Sequence, residues 1–157
     1  MTPKQAARLA ELRRQRRVAG PAMSYKSLDS NATLYGLYLE LEREVASAVA
    51  YKAMTFAIKG TAMQGKDPFL HWDRTGGTAH VNMGRRVEEP DPDYPGETLT
   101  VFKGARVSVK IRKQTLYVSV EDTATDSVVW KKKYGQASNL AGPAIDAGHQ
   151  ARKLLPQ

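Results

Sequence analysis

Residues 98–134 carry the segment TLTVFKGARVSVKIRKQTLYVSVEDTATDSVVWKKKY, in which hydrophobic residues recur at every second position. This period of two is typical of strands that bury one face. Short gaps at residues 103–105 and 113–114 predict consecutive hairpins, and a turn at 122–126 precedes a last strand at 128–134. The segment therefore predicts an antiparallel meander. Its alternating hydrophobic residues are Leu99, Val101, Val107, Val109, Ile111, Leu116, Val118 and Val120.

Upstream of the meander, the hydrophobic residues recur with the period of a helix. Spacings of three, four and seven predict an amphipathic helix that begins at Leu34 and continues to about Lys52. Residues 54–58 are compatible with a last helical turn or with a short strand. The hydrophobic positions of this helix are Leu34, Leu37, Tyr38, Leu41, Val45, Val49 and Phe56.

The remaining segments complete an α+β fold class. Residues 60–97 contain six glycines and four prolines, and only 78–83 alternate as a strand would. Residues 88–95 read as an exposed acidic loop stiffened by prolines. A final helix over about 142–155 is predicted to contact the core through Ile145, Leu154 and Leu155. The expected fold is a long amphipathic helix, an antiparallel meander of three to five strands and a C-terminal helix, with helices on one sheet face.

A basic helical arm is predicted to precede this domain. Thr2 and Pro3 have the form of a helix start, and the helix would end near Val18, before the sequence AGP. Its apolar side is thin, so we expect it to bury little by itself. The predicted organisation is an arginine-rich arm (1–20), a linker (21–33) and a single α+β domain (34–157). The arginines of the arm are Arg8, Arg13, Arg14, Arg16 and Arg17.

The charge of the chain is divided into blocks. Residues 1–26 hold seven Lys/Arg and one acid, residues 27–95 hold seven and ten, and residues 96–157 hold ten and five. The blocks have net charges of +6, −3 and +5, which agree with the +8 of the whole chain. Two basic blocks favour a polyanionic partner, of which nucleic acid is the simplest.

The alternation in the meander also predicts a basic surface. If Val107, Val109 and Ile111 point into the core, the residues between them point outward. Cations on such a face can contact phosphates, and a tyrosine can stack on an unpaired base. Edge strands also carry lysine simply to avoid pairing with other chains. The nucleic-acid-binding residues predicted on the sheet are Arg106, Lys110, Arg112, Tyr117, Lys131 and Lys133, which add to the five arginines of the arm.

Two other function classes remain open. The protein could be an assembly subunit of a viral or nucleoprotein particle, whose basic arm docks on an acidic surface of a neighbouring subunit. A metal-dependent nuclease could use Asp67, His71, Asp73 and His80, although their spacing matches no specific ligand motif. We predict a non-enzymatic, nucleic-acid-binding accessory protein with no catalytic residue, no cofactor and no metal. Homo-oligomers or larger assemblies are compatible with it.

Composition fits a reducing compartment. The chain has no cysteine, and no apolar run follows the charges at its start. Its longest apolar stretch is interrupted by charged residues, which argues against a membrane span and against a membrane partner. We expect a cytoplasmic protein, or one inside a virion or nucleoprotein particle.

Overall fold

The computed structural model describes residues 2–19, 34–73, 77–112, 115–135 and 140–157, and it confirms the α+β class. Predictions that concern the linker at 21–33 and the gap at 113–114 lie outside the described residues. The described elements follow in chain order: α1 (Pro3–Ala19), α2 (Leu34–Ile58), β1 (Phe69–Trp72), β2 (Ala79–Pro90), β3 (Thr98–Arg112), β4 (Thr115–Asp122), β5 (Ser127–Tyr134) and α3 (Ala141–Arg152).

The five strands form one antiparallel sheet in chain order, β1-β2-β3-β4-β5. Val81, Val107 and Val120 are fully buried, as is expected of alternate residues on one sheet face. These side chains join the buried face of α2 and α3 in one hydrophobic core. The sheet consequently has an inner face covered by α2 and α3 and an outer face that carries the intervening polar residues.

Small residues let α3 approach α2 closely. A Cβ placed on Gly148 of α3 would lie 2.6 Å from the Phe56 ring and 2.8 Å from the Ala53 carbonyl oxygen. Arg152 then caps the end of α2, because its guanidinium donates to the carbonyl of Phe56 at 2.7 Å and to that of Ala57 at 3.2 Å. These carbonyls belong to the last turn of α2, where carbonyl groups have no amide donors within the helix.

Helix α1 starts as its sequence predicts. The Thr2 hydroxyl accepts from the Gln5 amide, and the Gln5 side chain accepts from the Thr2 amide, which forms a reciprocal cap. Leu9 and Leu12 are buried against Tyr38 of α2 in a small second cluster. The apolar side of α1 is thin, as expected, and the helix docks because α2 presents an apolar stripe that receives the two leucines.

Several local predictions change in the structure. Residues 54–58 are the last turns of α2, since Met54, Ala57 and Ile58 face the core. Residues 103–105 are not a turn, because β3 runs unbroken from Thr98 to Arg112. The predicted acidic loop begins later, since residues 88–90 pair with β3 as the end of β2.

Two further differences concern the edges of the fold. Strand β1 was not predicted, and it pairs with β2 over residues 79–82. Ile145 of α3 is 42% exposed and makes little contact with the core, whereas Leu155 is buried as predicted. None of the described helices combines the length and hydropathy that crossing a bilayer would require.

Candidate nucleic-acid interface

The outer sheet face carries basic side chains from β3 and β5, with β4 between them. Lys110 of β3 lies opposite Tyr117 of β4, and Tyr117 lies opposite Lys133 of β5. In the next row Ser108 lies opposite Ser119, which lies opposite Lys131. Because each pair of strands is about 4.8 Å apart, the two lysines that flank Tyr117 are about 10 Å apart at their backbones. A groove of about 530 Å³ lies over these two rows.

Four cations on this face are free of acidic partners within the described part of the chain. Lys110, Arg112, Lys131 and Lys133 are all exposed, and none of them forms an ion pair there. Tyr117 among them is 42% exposed. We refer to Lys110, Arg112, Tyr117, Lys131 and Lys133 as the basic face.

Arg106 lies on the same side of the sheet but is engaged by neighbours. Its guanidinium donates to the Asn82 side chain at 2.9 Å and to the Glu121 carboxylate at 3.3 Å. Because that carboxylate offsets its charge, Arg106 contributes less to the potential of the face than the four exposed cations. Of the six sheet residues predicted from the sequence, Arg106 is the one that forms an ion pair among the described residues.

The arginines of α1 lie elsewhere. The guanidinium of Arg8 donates to Glu42 at 2.7 Å and stacks over Tyr38 at 4.2 Å from the ring centre. Arg16 donates to Glu44 at 3.0 Å. Since α1 packs on α2 and α2 packs on the inner sheet face, the arm and the basic face lie on opposite sides of the molecule.

The remaining arginines of the arm are of two kinds: Arg14 forms an ion pair, and Arg13 and Arg17 are exposed. Arg14 donates to Glu11 at 2.6 Å and 3.0 Å, and this hydrogen bond holds the pKa of Glu11 below its usual value. Arg13 and Arg17 are exposed, four residues apart on the side of α1 away from α2. The structure thus leaves two of the five predicted arginines fully presented to solvent, with three engaged in ion pairs.

A hydrogen-bonded chain borders the basic face. The Nδ1 atom of His80 lies 2.7 Å from the Ser108 hydroxyl, and its Nε2 atom lies 2.7 Å from an Asp73 carboxylate oxygen. Such a chain can hold one tautomer of an imidazole and pass a proton along it. Ser108, however, is only 7% exposed in the middle of β3, so its hydroxyl is poorly placed to attack a substrate. The chain orients His80 and fixes the sheet beside the groove.

Aromatic rings extend from this chain to the edge of the sheet. The ring of His71 stacks on that of His80 at 5.0 Å, and Phe69 stacks on His71 at 5.5 Å. Burial lowers the pKa of His71, with further lowering by the neighbouring His80 and Arg106 and an opposing effect of Asp73. His71 is therefore neutral near pH 7, which suits a stack of imidazole rings.

Phe69 is the outer-face residue that sequence reasoning missed. It is 65% exposed and lines a second groove of about 350 Å³ together with Phe102 and Arg106. The four-residue strand that carries it alternates between outer and core-facing side chains, with Leu70 and Trp72 packed against the core. That alternation was the available signal, but it is too short to stand out among the surrounding glycines and prolines.

The residues of the nuclease hypothesis are only partly brought together. His71, His80 and Asp73 are neighbours, but no group of three or more His, Asp or Glu in the described ranges is arranged to hold a metal ion. Comparison with protein-family models, with curated proteins and with solved structures gives no match.

Proposed function

We propose that this protein binds nucleic acid through the basic face, as a non-enzymatic accessory protein. The observation that carries the proposal is the set of four exposed cations, without acidic partners in the described chain, around a half-exposed tyrosine. Each cation that meets a phosphate releases a counterion, so affinity would decrease steeply with salt. Backbone contacts of this kind give little sequence selectivity. The protein would act in the cytoplasm or inside a nucleoprotein particle, where such a partner is accessible.

The arm has a secondary role in this proposal. Because Arg8, Arg14 and Arg16 pair with carboxylates, only Arg13 and Arg17 are presented for a phosphate. Those two lie on the opposite side of the molecule from the basic face, so one short strand would not contact both. We expect the basic face to dominate the affinity.

Fluorescence anisotropy with labelled single- and double-stranded oligonucleotides tests the proposal. Replacement of Lys110, Arg112, Lys131 and Lys133 by glutamine should abolish binding at low salt, whereas Arg13→Gln with Arg17→Gln should preserve most of it. All six side chains are exposed, so the variants should fold. Absence of binding by the unmodified protein, or equal binding by the four-residue variant, would contradict the proposal.

A second candidate function is that of an assembly subunit. The observation that favours it is the pairing of Arg8 with Glu42 and of Arg16 with Glu44, since the arm is complementary to an acidic protein surface. The same complementarity could operate between copies through Arg13 and Arg17. Sedimentation of an Arg13→Glu, Arg17→Glu variant tests this role. Loss of oligomers with unchanged oligonucleotide affinity would favour it, and unchanged oligomers would argue against an arm-mediated contact.

A further inference from the structure

The hairpin of β2 and β3 projects beyond the rest of the sheet. Strand β1 pairs with β2 only at residues 79–82, and β4 pairs with β3 only at residues 105–112. Six register pairs lie beyond these partners and beyond the Gly84–Gly104 pair, from Arg85 opposite Lys103 to Pro90 opposite Thr98. At about 3.4 Å per residue this two-stranded ribbon, residues 85–103, extends about 20 Å. Neither of its edges is paired with another described strand.

The ribbon exposes apolar side chains on both faces. Val87, Leu99 and Val101 share the side that is buried further along the same strands, yet Leu99 is 43% exposed. On the other side the Phe102 ring lies over a pair of opposed glycines and is also 43% exposed. A two-stranded ribbon is marginal in water without a partner. Its exposed apolar residues and open edges favour a contact with another protein surface.

The end of the ribbon is acidic. Four of its carboxylates have no ion-pair partner within the described residues, whereas Glu89 pairs with Lys103 across the strands. Nucleic acid would be repelled by this surface, which also disfavours docking of two identical ribbons end to end. We refer to the four carboxylates as the acidic tip: Glu88, Asp91, Asp93 and Glu97.

The same chain carries a surface of matching charge. Among the described residues, the basic face has four cations outside any ion pair, against four such carboxylates on the acidic tip. Lys110 and Lys133 are about 10 Å apart at their backbones, on either side of Tyr117. Carboxylates on both strands of the tip can therefore contact the two lysines at once, with the Tyr117 ring available to apolar side chains beside them. Charge complementarity of this kind both steers association and fixes its orientation.

We propose that the acidic tip of one copy docks on the basic face of a second copy. Because the two surfaces are different, the contact is head-to-tail, and repetition of it forms a ring or an open filament. The acidic tip then occupies the place that phosphates would take, so assembly and nucleic-acid binding compete for one face. The inference does not rest on nucleic-acid binding, since it uses only the charges of the chain itself.

A charge exchange tests this contact in nucleic-acid-free protein. One variant neutralises the tip with Glu88→Lys and Glu97→Lys, and a second neutralises the face with Lys131→Glu and Lys133→Glu. All four side chains are exposed, so circular dichroism should show the unmodified fold. Sedimentation velocity at low salt should show oligomers of the unmodified protein and monomers of each variant. An equimolar mixture should form heterodimers, because the unaltered tip of the face variant can dock on the unaltered face of the tip variant.

The outcomes separate this inference from the proposed function. An unmodified protein that remains monomeric at its highest attainable concentration would overturn it, as would oligomers that persist in both variants or a mixture that does not assemble. A Lys52→Glu, Lys59→Glu variant, whose reversed charges lie on the helical side, should assemble normally. If oligonucleotides bind the tip variant while it stays monomeric in a mixture with the face variant, the docking contact fails and nucleic-acid binding stands.

Discussion

The salt dependence of nucleic-acid affinity should measure how many cations of the basic face meet phosphate. If Lys110, Arg112, Lys131 and Lys133 each neutralise one phosphate of a single strand, log K should change with log salt at a slope of about −2.8, at about 0.7 per contact. A rise from 50 to 200 mM salt would then weaken binding about 50-fold. Lys110→Gln with Lys133→Gln removes two of these contacts, so the slope should fall to about −1.4 and the loss to about 7-fold.

A matched variant controls for the change in net charge. Lys52→Gln with Lys59→Gln also removes two exposed lysines, but these lie on and just after α2, behind the sheet. Its slope should equal that of the unmodified protein. Anisotropy titrations at four salt concentrations provide the three slopes. Equal slopes for the Lys110/Lys133 variant and the control would refute the assignment of the phosphates to the basic face.

Three other predictions concern the fold around the site. Leu12→Ala should lower the free energy of unfolding by about 2–4 kcal/mol in urea titrations, because Leu12 is 1% exposed between α1 and α2. A change below about 0.5 kcal/mol would mean that α1 is not docked. Gly104→Ala should destabilise the ribbon base, since a Cβ there would lie 2.6 Å from a threonine hydroxyl, whereas Gly142→Ala, with nothing within 4 Å, should be neutral or stabilising. Stability should fall as the pH decreases below about 6.5. Burial lowers the pKa of His71 in the folded protein, so the unfolded chain binds a proton at a higher pH than the folded chain does. The pH slope should be smaller in His71→Gln, and an identical slope would show that His71 does not contribute to it.

The local periodicities predicted most of the fold correctly. The helical stripe from Leu37 to Val49 and the alternation around Val109 and Val118 each follow from a few consecutive residues, so they are visible in the chain alone. The same alternation placed Lys110, Tyr117 and Lys133 outward, because side chains on a strand must take opposite faces in turn. The pattern did not indicate which cations of the sheet would form an ion pair with a carboxylate.

The errors arose where pairing between distant segments overrides a local signal. Lys103-Gly104-Ala105 has the composition of a turn, yet a second glycine opposite Gly104 makes room for the Phe102 ring and the strand continues. Strand β1 exists because β2 offers it an edge.

The sequence by itself determined that the protein is α+β, that one face of its sheet is basic and that its charges are segregated along the chain. Only the tertiary structure decided which of those charges are available. Glu42 and Glu44 lie more than twenty residues from the arginines they neutralise, and the ribbon projects because its neighbouring strands are shorter. Periodicity is a property of consecutive residues, whereas ion pairing and strand overlap depend on residues that meet only after the chain has folded.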